Sequence, residues 1–312
     1  MNNKVTVIMY HYVRELTKSK YPNIKGLDIE KFKSQINYLV NNYTILKMED
    51  FIDAINNKTK LPDNSAILTF DDGYIDHFCQ VFPILSNNNI QGSFFVPSRI
   101  IKESIVLDVN KIHFILEGCN DIEKLVSYIF SRLDYYRFDY QLNDNSFYYN
   151  KLAIPNRFDN KDIIFVKRIL QSELNLNLRK IILDEMFLEY FNIKEDIFSK
   201  ELYMTIDQLK MMKNSGMFIG GHGYNHFWFE SLSEIEQIKE IEETILFLNE
   251  IGVEKKYRVM CYPYGSYNTT TIKLLNNYNF QCAFTTVPEI ANINFNNKLI
   301  IPRLDTNDIT FN

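Results

Sequence analysis

Little in this chain of 312 residues points to covalent cross-linking or to a membrane. Its four cysteines, Cys79, Cys119, Cys261 and Cys282, stand at no metal-finger spacing and give no disulfide-rich framework. No run reaches eighteen apolar residues, which excludes a membrane-spanning helix. Met1-Asn2-Asn3-Lys4 passes straight into a short apolar run that is no secretory signal, so the expected location is cytoplasmic. The net charge is -5, from 34 basic and 39 acidic residues, and no basic stripe favours a polyanion. Nucleic acid is therefore not an expected partner. There is one tryptophan, Trp228, and there are five histidines: His11, His77, His113, His222 and His226. Neither an internal repeat nor a long low-complexity segment occurs.

Hydrophobic residues make up 46% of the chain and aromatics 14%, enough for a sizeable core and far from a disordered composition. Strand and helix patterns alternate, the mark of an α/β fold. Asp28 caps a helix with the apolar stripe Ile29, Phe32, Ile36 and Leu39, and Tyr74 to Asn87 reads as another helix. Thr205 to Asn214 reads as a third. A later helix opens on a capping box, Ser233 to Glu236, is expected to turn Ile235, Ile238, Ile245 and Leu248 inward, and stops at Gly252. Its acidic run, Glu240, Glu242 and Glu243, reads as a solvated face. A final unit runs from Thr270–Tyr278 through a strand at Cys282–Thr285 to one ending at Arg303.

Three segments carry chemistry. The apolar run Ala66 to Phe70 ends in Asp71-Asp72-Gly73, which is how a strand delivers carboxylates to the mouth of a barrel or sheet. Neighbours on an extended chain point to opposite sides unless the chain turns, and Gly73 supplies the freedom to turn. One carboxylate can then hold a metal while the other faces its water; a hairpin turn is the alternative. In the second segment, Met217-Phe218-Ile219 leads into Gly220-Gly221-His222-Gly223-Tyr224-Asn225-His226. If this segment turns helically after its strand, His222 and His226 share a face and reach one divalent ion at about 2.0–2.1 Å. Solvated or core histidines are the alternative. The third segment, Arg258 to Asn268, runs from a strand into the loop Tyr262-Pro263-Tyr264-Gly265, leaving the Tyr264 N–H as a hydrogen-bond donor; an ordinary aromatic turn is the alternative.

In this order the segments resemble the polysaccharide deacetylase family, carbohydrate esterases that include chitooligosaccharide and peptidoglycan deacetylases. Thr69-Phe70-Asp71-Asp72-Gly73 is similar to the family's first motif, His-x-x-x-His to its second and Tyr-Pro-Tyr-Gly to its third. Gly92-Ser93-Phe94-Phe95-Val96 matches its next strand. The resemblance covers roughly residues 4–100 and 203–305. It implies a distorted (β/α)7-type barrel, Asp71 as general base, Asp72, His222 and His226 as metal ligands, and the Tyr264 N–H as a donor to the oxyanion. The implied metal is divalent, with Zn2+ best suited to two imidazoles and a carboxylate and Fe2+, Co2+, Mn2+ and Ni2+ as alternatives.

The chain departs from the family in three places. The family's late Leu-x-His motif is missing, since no histidine follows His226. His11, at the exit of the strand Val5 to Tyr10, is the candidate general acid, with a purely structural histidine as the alternative. Cys261 stands where relatives carry an arginine two residues before the proline. Arg303 is the candidate replacement, because a carboxylate beside arginine stays ionised as a base must; a surface ion pair is the alternative. Gly223 replaces the usual Ser or Thr.

Asp72 and His222 lie too far apart in sequence for one or two strand–helix units. Residues 1–100 and 203–312 therefore read as the barrel and 101–202 as a largely helical insertion expected to shape the pocket. Its helical runs are Asn110–Glu117, Asp121–Leu133 and Lys161–Tyr190, interrupted by the aromatic-rich stretch Asp134–Asn160. There Tyr135, Tyr136, Phe138 and Tyr140 either pack internally or stack on sugar rings. Trp228 walls the pocket or packs in the core.

The function expected is metal-dependent hydrolysis of an N-acyl group, N-acetyl above all, on an amino sugar. Cytoplasmic placement favours a nucleotide- or lipid-linked intermediate, or an oligosaccharide, of surface glycan synthesis. Removal of a formyl group, a non-sugar amidase, and a non-catalytic carbohydrate-binding pseudoenzyme are the alternatives. The motifs name neither the sugar nor the oligomeric state.

Overall fold

Parallel strands carry the part of the fold that positions the site. They are β1 (Lys4–Tyr10), β2 (Ser65–Asp71), β3 (Gly92–Val96), β4 (Phe218–Gly221), β5 (Val259–Cys261), β6 (Cys282–Phe284) and β7 (Leu304–Asp305). The computed structural model describes residues 4–156, 159–293 and 298–309. β2 is buried along its whole length and β1 everywhere but Lys4, as expected of parallel strands covered on both faces.

In-register parallel pairing runs β1–β2–β3–β4–β5–β6, with Tyr10 beside Phe70, Asp71 beside Phe95, and Val96 beside Gly221. The end of the chain closes the curl. Ile301 bridges Phe284 of β6 in parallel, and β7 runs parallel to β1, Leu304 beside Ile8. The distorted barrel expected from the sequence is thus the fold. The distortion lies where Ala291–Asn292 wedges antiparallel against Lys4 and Val5.

Val5, Val7, Ile67, Phe95, Phe218, Val259, Phe284 and Ile301 form one hydrophobic cluster with Met48, Phe51, Ile52 and Ile55 of the helix Met48–Asn57. Burying each large side chain stabilises by roughly 2 kcal/mol. Outside the strands, Ile29–Asn42 is capped by Asp28 and buries Ile29, Phe32, Ile36 and Leu39. The segment after the acidic motif is helical but irregular, with a π-helical turn over His77–Val81 before Phe82–Asn87.

Glu234–Ile251 has the expected capping box and a left-handed Gly252 at its end, but its inward face differs from the expected one. The buried stripe is Gln237, Glu240, Ile241, Thr244, Phe247, Leu248 and Ile251, while Ile235 is 80% exposed. Hydrophobicity alone misplaced the stripe because its centre is polar. Glu240, expected on a solvated face, is buried.

The chain divides into two compact units, one of Met1–Leu16, Gly26–Ile105 and Ser199–Asn312 and one of Thr17–Lys25 and Val106–Phe198. The second unit is helical: Asp108–Gly118, Ile122–Tyr136, Asn145–Leu152, Lys161–Arg168 and Leu176–Phe191. The aromatic-rich stretch is not the plain interruption expected, since it contains Asn145–Leu152, capped by the Asp144 carboxylate on the Phe147 N–H. Tyr135 and Phe138 are largely exposed, at 69% and 93%, rather than packed inside the unit. Tyr21, Phe114, Phe187, Phe191 and Phe198 form its aromatic centre. Beside them Lys111 is buried at 2% side-chain exposure, its ammonium 2.5 Å from Asp184 and 2.8 Å from Glu195. No helix among the described residues is long and apolar enough to cross a membrane.

Candidate active site

Ligand-bearing loops leave the barrel at the C-terminal ends of its strands, the end where (β/α) barrels build their sites. Asp71 is the last residue of β2, and the chain then turns through two left-handed residues, Asp72 at φ 74° and Gly73 at φ 67°. The sequence placed the turn at Gly73 alone. That turn separates the two carboxylates, which are equally buried and held by different partners.

Asp72 Oδ2 accepts from the Tyr74 hydroxyl at 2.6 Å. Its Oδ1 is buried with no hydrogen-bond partner, 3.4 Å from His222 Nε2 and 3.3 Å from His226 Nε2. Burial alone would raise the pKa of Asp72, but the two imidazoles outweigh it and hold the carboxyl well below the usual range. His222 Nδ1 donates to the Cys261 carbonyl at 2.7 Å, which leaves the Nε2 lone pair facing Asp72. One ligand atom each from Asp72, His222 and His226 lies within 4.8 Å of the others.

The histidines do not meet on a helix, as the spacing suggested. Their segment is an open loop with left-handed residues at Gly223, φ 72°, and His226, φ 61°. Close packing puts it there: a Cβ on Gly221 would lie 2.2 Å from Thr244 Cγ2 of the following helix. The loop is held by hydrogen bonds that the sequence did not reveal. Ser98 and Arg99 donate their N–H groups to the Gly223 and Tyr224 carbonyls, both at 3.1 Å. Glu240 accepts from the Tyr224 and Asn225 N–H groups, both at 2.8 Å.

Asp71 lies against Arg303, which is itself 1% exposed. The guanidinium donates to both carboxylate oxygens, at 3.0 and 2.7 Å, and is fixed in turn by the Thr285 carbonyl and the Thr69 hydroxyl. Burial pushes the Asp71 pKa up, but Arg303, joined by His222 and His11, outweighs it and the group is held at about 2. The alternative of a surface ion pair is ruled out by this burial. Cys261, at the family's arginine position, sits beside the same carboxylate with Sγ 3.4 Å from Asp71 Oδ2.

A second group, Asp71, His222 and Cys261, has metal-like spacing. It does not fit an ion. Arg303 occupies both Asp71 oxygens, a backbone carbonyl takes His222 Nδ1, and burial keeps Cys261 a neutral thiol by pushing its pKa well above the ordinary value. Asp72, His222 and His226 do fit. They offer two imidazoles and a carboxylate, a fixed tautomer on one imidazole, and an orphaned carboxylate oxygen aimed between them.

His11 follows β1, with Nε2 4.0 Å from Asp71 Oδ2 and its side chain 41% exposed. Its carbonyl accepts from Nε2 of His77, a buried residue the sequence reading did not use, at 2.8 Å. Burial lowers the His77 pKa to about 4 despite that bond, so it is a neutral donor. Tyr264 adopts φ 58° in its loop, and its ring packs between His226, centroids 4.7 Å apart, and Trp228, stacked at 4.4 Å. Trp228 therefore stands behind the Tyr264 ring, one ring removed from His226. Left-handed backbone at Asp72, His226 and Tyr264 costs of order 1–3 kcal/mol each, a strain typical of functional sites.

Tyr74, His77 and Glu240 were not read from the sequence. Tyr74 had a signal, standing two residues after Asp72. Glu240 had one too, since it falls on the same helical stripe as Gln237, Ile241 and Thr244.

The polysaccharide deacetylase family model matches residues 187–283, which takes in His222, His226 and Tyr264 but neither acidic residue nor Arg303. Among curated proteins none matches the chain. Solved structures similar to it include a Streptococcus pyogenes deacetylase, PplD, in complex with acetate, at 17% identity and TM-score 0.60 over 98% of this chain and 93% of that one. IcaB from Ammonifex degensii aligns at 17% identity and TM-score 0.58 over the same shares. A de-N-acetylase from Aggregatibacter actinomycetemcomitans aligns at 16% and 0.57 over 96% and 94%. Likeness at such identity shows the fold. The family match over the histidine segment adds that residues 187–283 are polysaccharide deacetylase-like.

Proposed function

We propose that this protein removes an N-acyl group, N-acetyl first, from an amino sugar. The observation that carries the reading is the buried, unpartnered Asp72 Oδ1 set between the Nε2 atoms of His222 and His226. Those three side chains would hold a divalent ion, Zn2+ by donor type, which when bound polarises the acyl carbonyl and acidifies water.

The other residues divide the proton work. Asp71, kept ionised by Arg303, takes a proton from water as the water oxygen bonds to the carbonyl carbon. His11 gives a proton to the sugar nitrogen as the C–N bond breaks, leaving a free amine and a carboxylic acid. The Tyr264 N–H donates to the oxygen that gains charge between the two steps. His77, by binding the His11 carbonyl, fixes where that acid stands.

The finer reading is a cytoplasmic nucleotide- or lipid-linked sugar of surface glycan assembly. The four free cysteines support it, because thiols persist in reducing compartments. We also retain as a proposal that the insertion, residues 101–202, shapes substrate access.

Metal analysis combined with acetate and amine release from a panel of N-acetyl and N-formyl sugars tests the function. We expect one divalent ion per chain and acetate release that falls roughly 10²–10⁴-fold in His11→Ala with the ion retained. Bound ion with no acyl release from any sugar would leave a binding protein. Full turnover in His11→Ala would remove that residue from the mechanism.

A further inference from the structure

Glu240 sits on the inward stripe of Glu234–Ile251, 3% exposed, a costly place for a carboxylate unless several donors meet it. The donors it meets come from the segment between the two histidines. Oε2 accepts from the backbone N–H groups of Tyr224 and Asn225, both at 2.8 Å, and Oε1 accepts from the Asn225 side-chain amide. Asn225 is also bound on its other side, by Arg99 at 2.9 Å.

The interval has no regular structure of its own to hold it. A helix would fix the two imidazoles through its internal ladder; here left-handed residues at Gly223 and His226 rule that out. The hydrogen bonds of the loop go outward instead. Two carbonyls are bound by the N–H groups of Ser98 and Arg99 and two N–H groups by Glu240. The carboxylate also limits the residue after His222, since a Cβ on Gly223 would stand 3.2 Å from Glu240 Oε2. Glycine in place of the family's Ser or Thr is therefore the residue that leaves room for this anchor.

We propose that Glu240 is the positioning residue of the histidine pair, setting the distance between the His222 and His226 imidazoles by clamping the backbone between them. Glu240 bonds to neither imidazole; it acts through the Tyr224 and Asn225 amides. The inference rests on the reading of Asp72, His222 and His226 as metal ligands.

The test is Glu240→Gln, a substitution of equal size that turns one acceptor oxygen into a donor facing donors. Chelator-stripped protein is titrated with Zn2+ by calorimetry, and the visible d–d spectrum of the Co2+-loaded protein reports ligand geometry. We expect a 10–100-fold weaker Zn2+ Kd and an altered cobalt spectrum, with the melting temperature of the stripped protein little changed. An unchanged Kd and spectrum would overturn the inference. Should Glu240→Gln not fold, Asn225→Ala takes its place, because it removes only the side-chain donor and loosens the clamp; a several-fold weaker Kd supports the inference and an unchanged one overturns it. Wild-type protein that binds no Zn2+ at all would instead defeat the metal reading on which the inference rests.

Discussion

Both units of this protein pair a buried charged side chain, and the two clusters differ in one respect. In the helical unit Lys111 meets Asp184 and Glu195, and each carboxylate has a further donor, Lys180 for Asp184 and the Val106 N–H for Glu195. In the barrel Asp72 keeps an oxygen with no partner, facing two imidazoles. Burial is common to both and so does not mark function. The first cluster pairs its charges and staples helices together; the second, in the reading proposed above, is arranged to hold a cation. Breaking the first should cost stability, and breaking the second should cost chemistry.

The largest expected effect is that of Asp72→Asn, which keeps the shape and removes the charge. Turnover should fall on the order of 10³-fold or more, as loss of several kcal/mol of charge stabilisation requires, while thermal unfolding stays near wild type. A variant that loses stability in step with activity would merge the two clusters into one kind.

Arg303→Met sharpens the contrast inside the barrel. Arg303, with His222 and His11, holds the Asp71 pKa at about 2 against burial, so the carboxylate is ionised throughout the ordinary pH range. Without the guanidinium the largest lowering influence is gone and the pKa rises. The acid limb of kcat/KM should move to higher pH by roughly 1–3 units, read from a pH profile. A limb that stays in place would mean that Asp71 is not the base.

Lys111→Met should destabilise by about 1–2 kcal/mol, because two part-exposed carboxylates lose one charged donor each, while kcat per folded molecule is unchanged. Denaturant unfolding alongside steady-state kinetics separates these quantities. The smallest effect belongs to Tyr74→Phe, which removes the donor on Asp72 Oδ2 and should weaken metal binding by about 10-fold with the ligands intact.

Most of the barrel was legible in the sequence because parallel strands are apolar on both faces and end in recognisable loops. The β2 run into Asp71-Asp72 and the capped helices fall where the pattern put them. The convergence of the motifs was legible only through family resemblance, since no local rule brings Arg303 to Asp71 across the chain. What was illegible has a common cause. Glu240 and the helix around it were misread because hydrophobic periodicity does not register a buried polar stripe. The histidine loop was misread because i, i+4 spacing says nothing of a backbone held from outside. His77 was passed over because its role is a hydrogen bond to a backbone carbonyl, which no spacing encodes.

The most direct measurement is a Zn2+ titration of chelator-stripped wild type, Asp72→Asn and His226→Ala, each first shown to be folded. One ion per wild-type chain, with binding lost or strongly weakened in both variants, is the predicted result. Binding by both variants as tight as by wild type, or no stoichiometric binding by wild type, would contradict it.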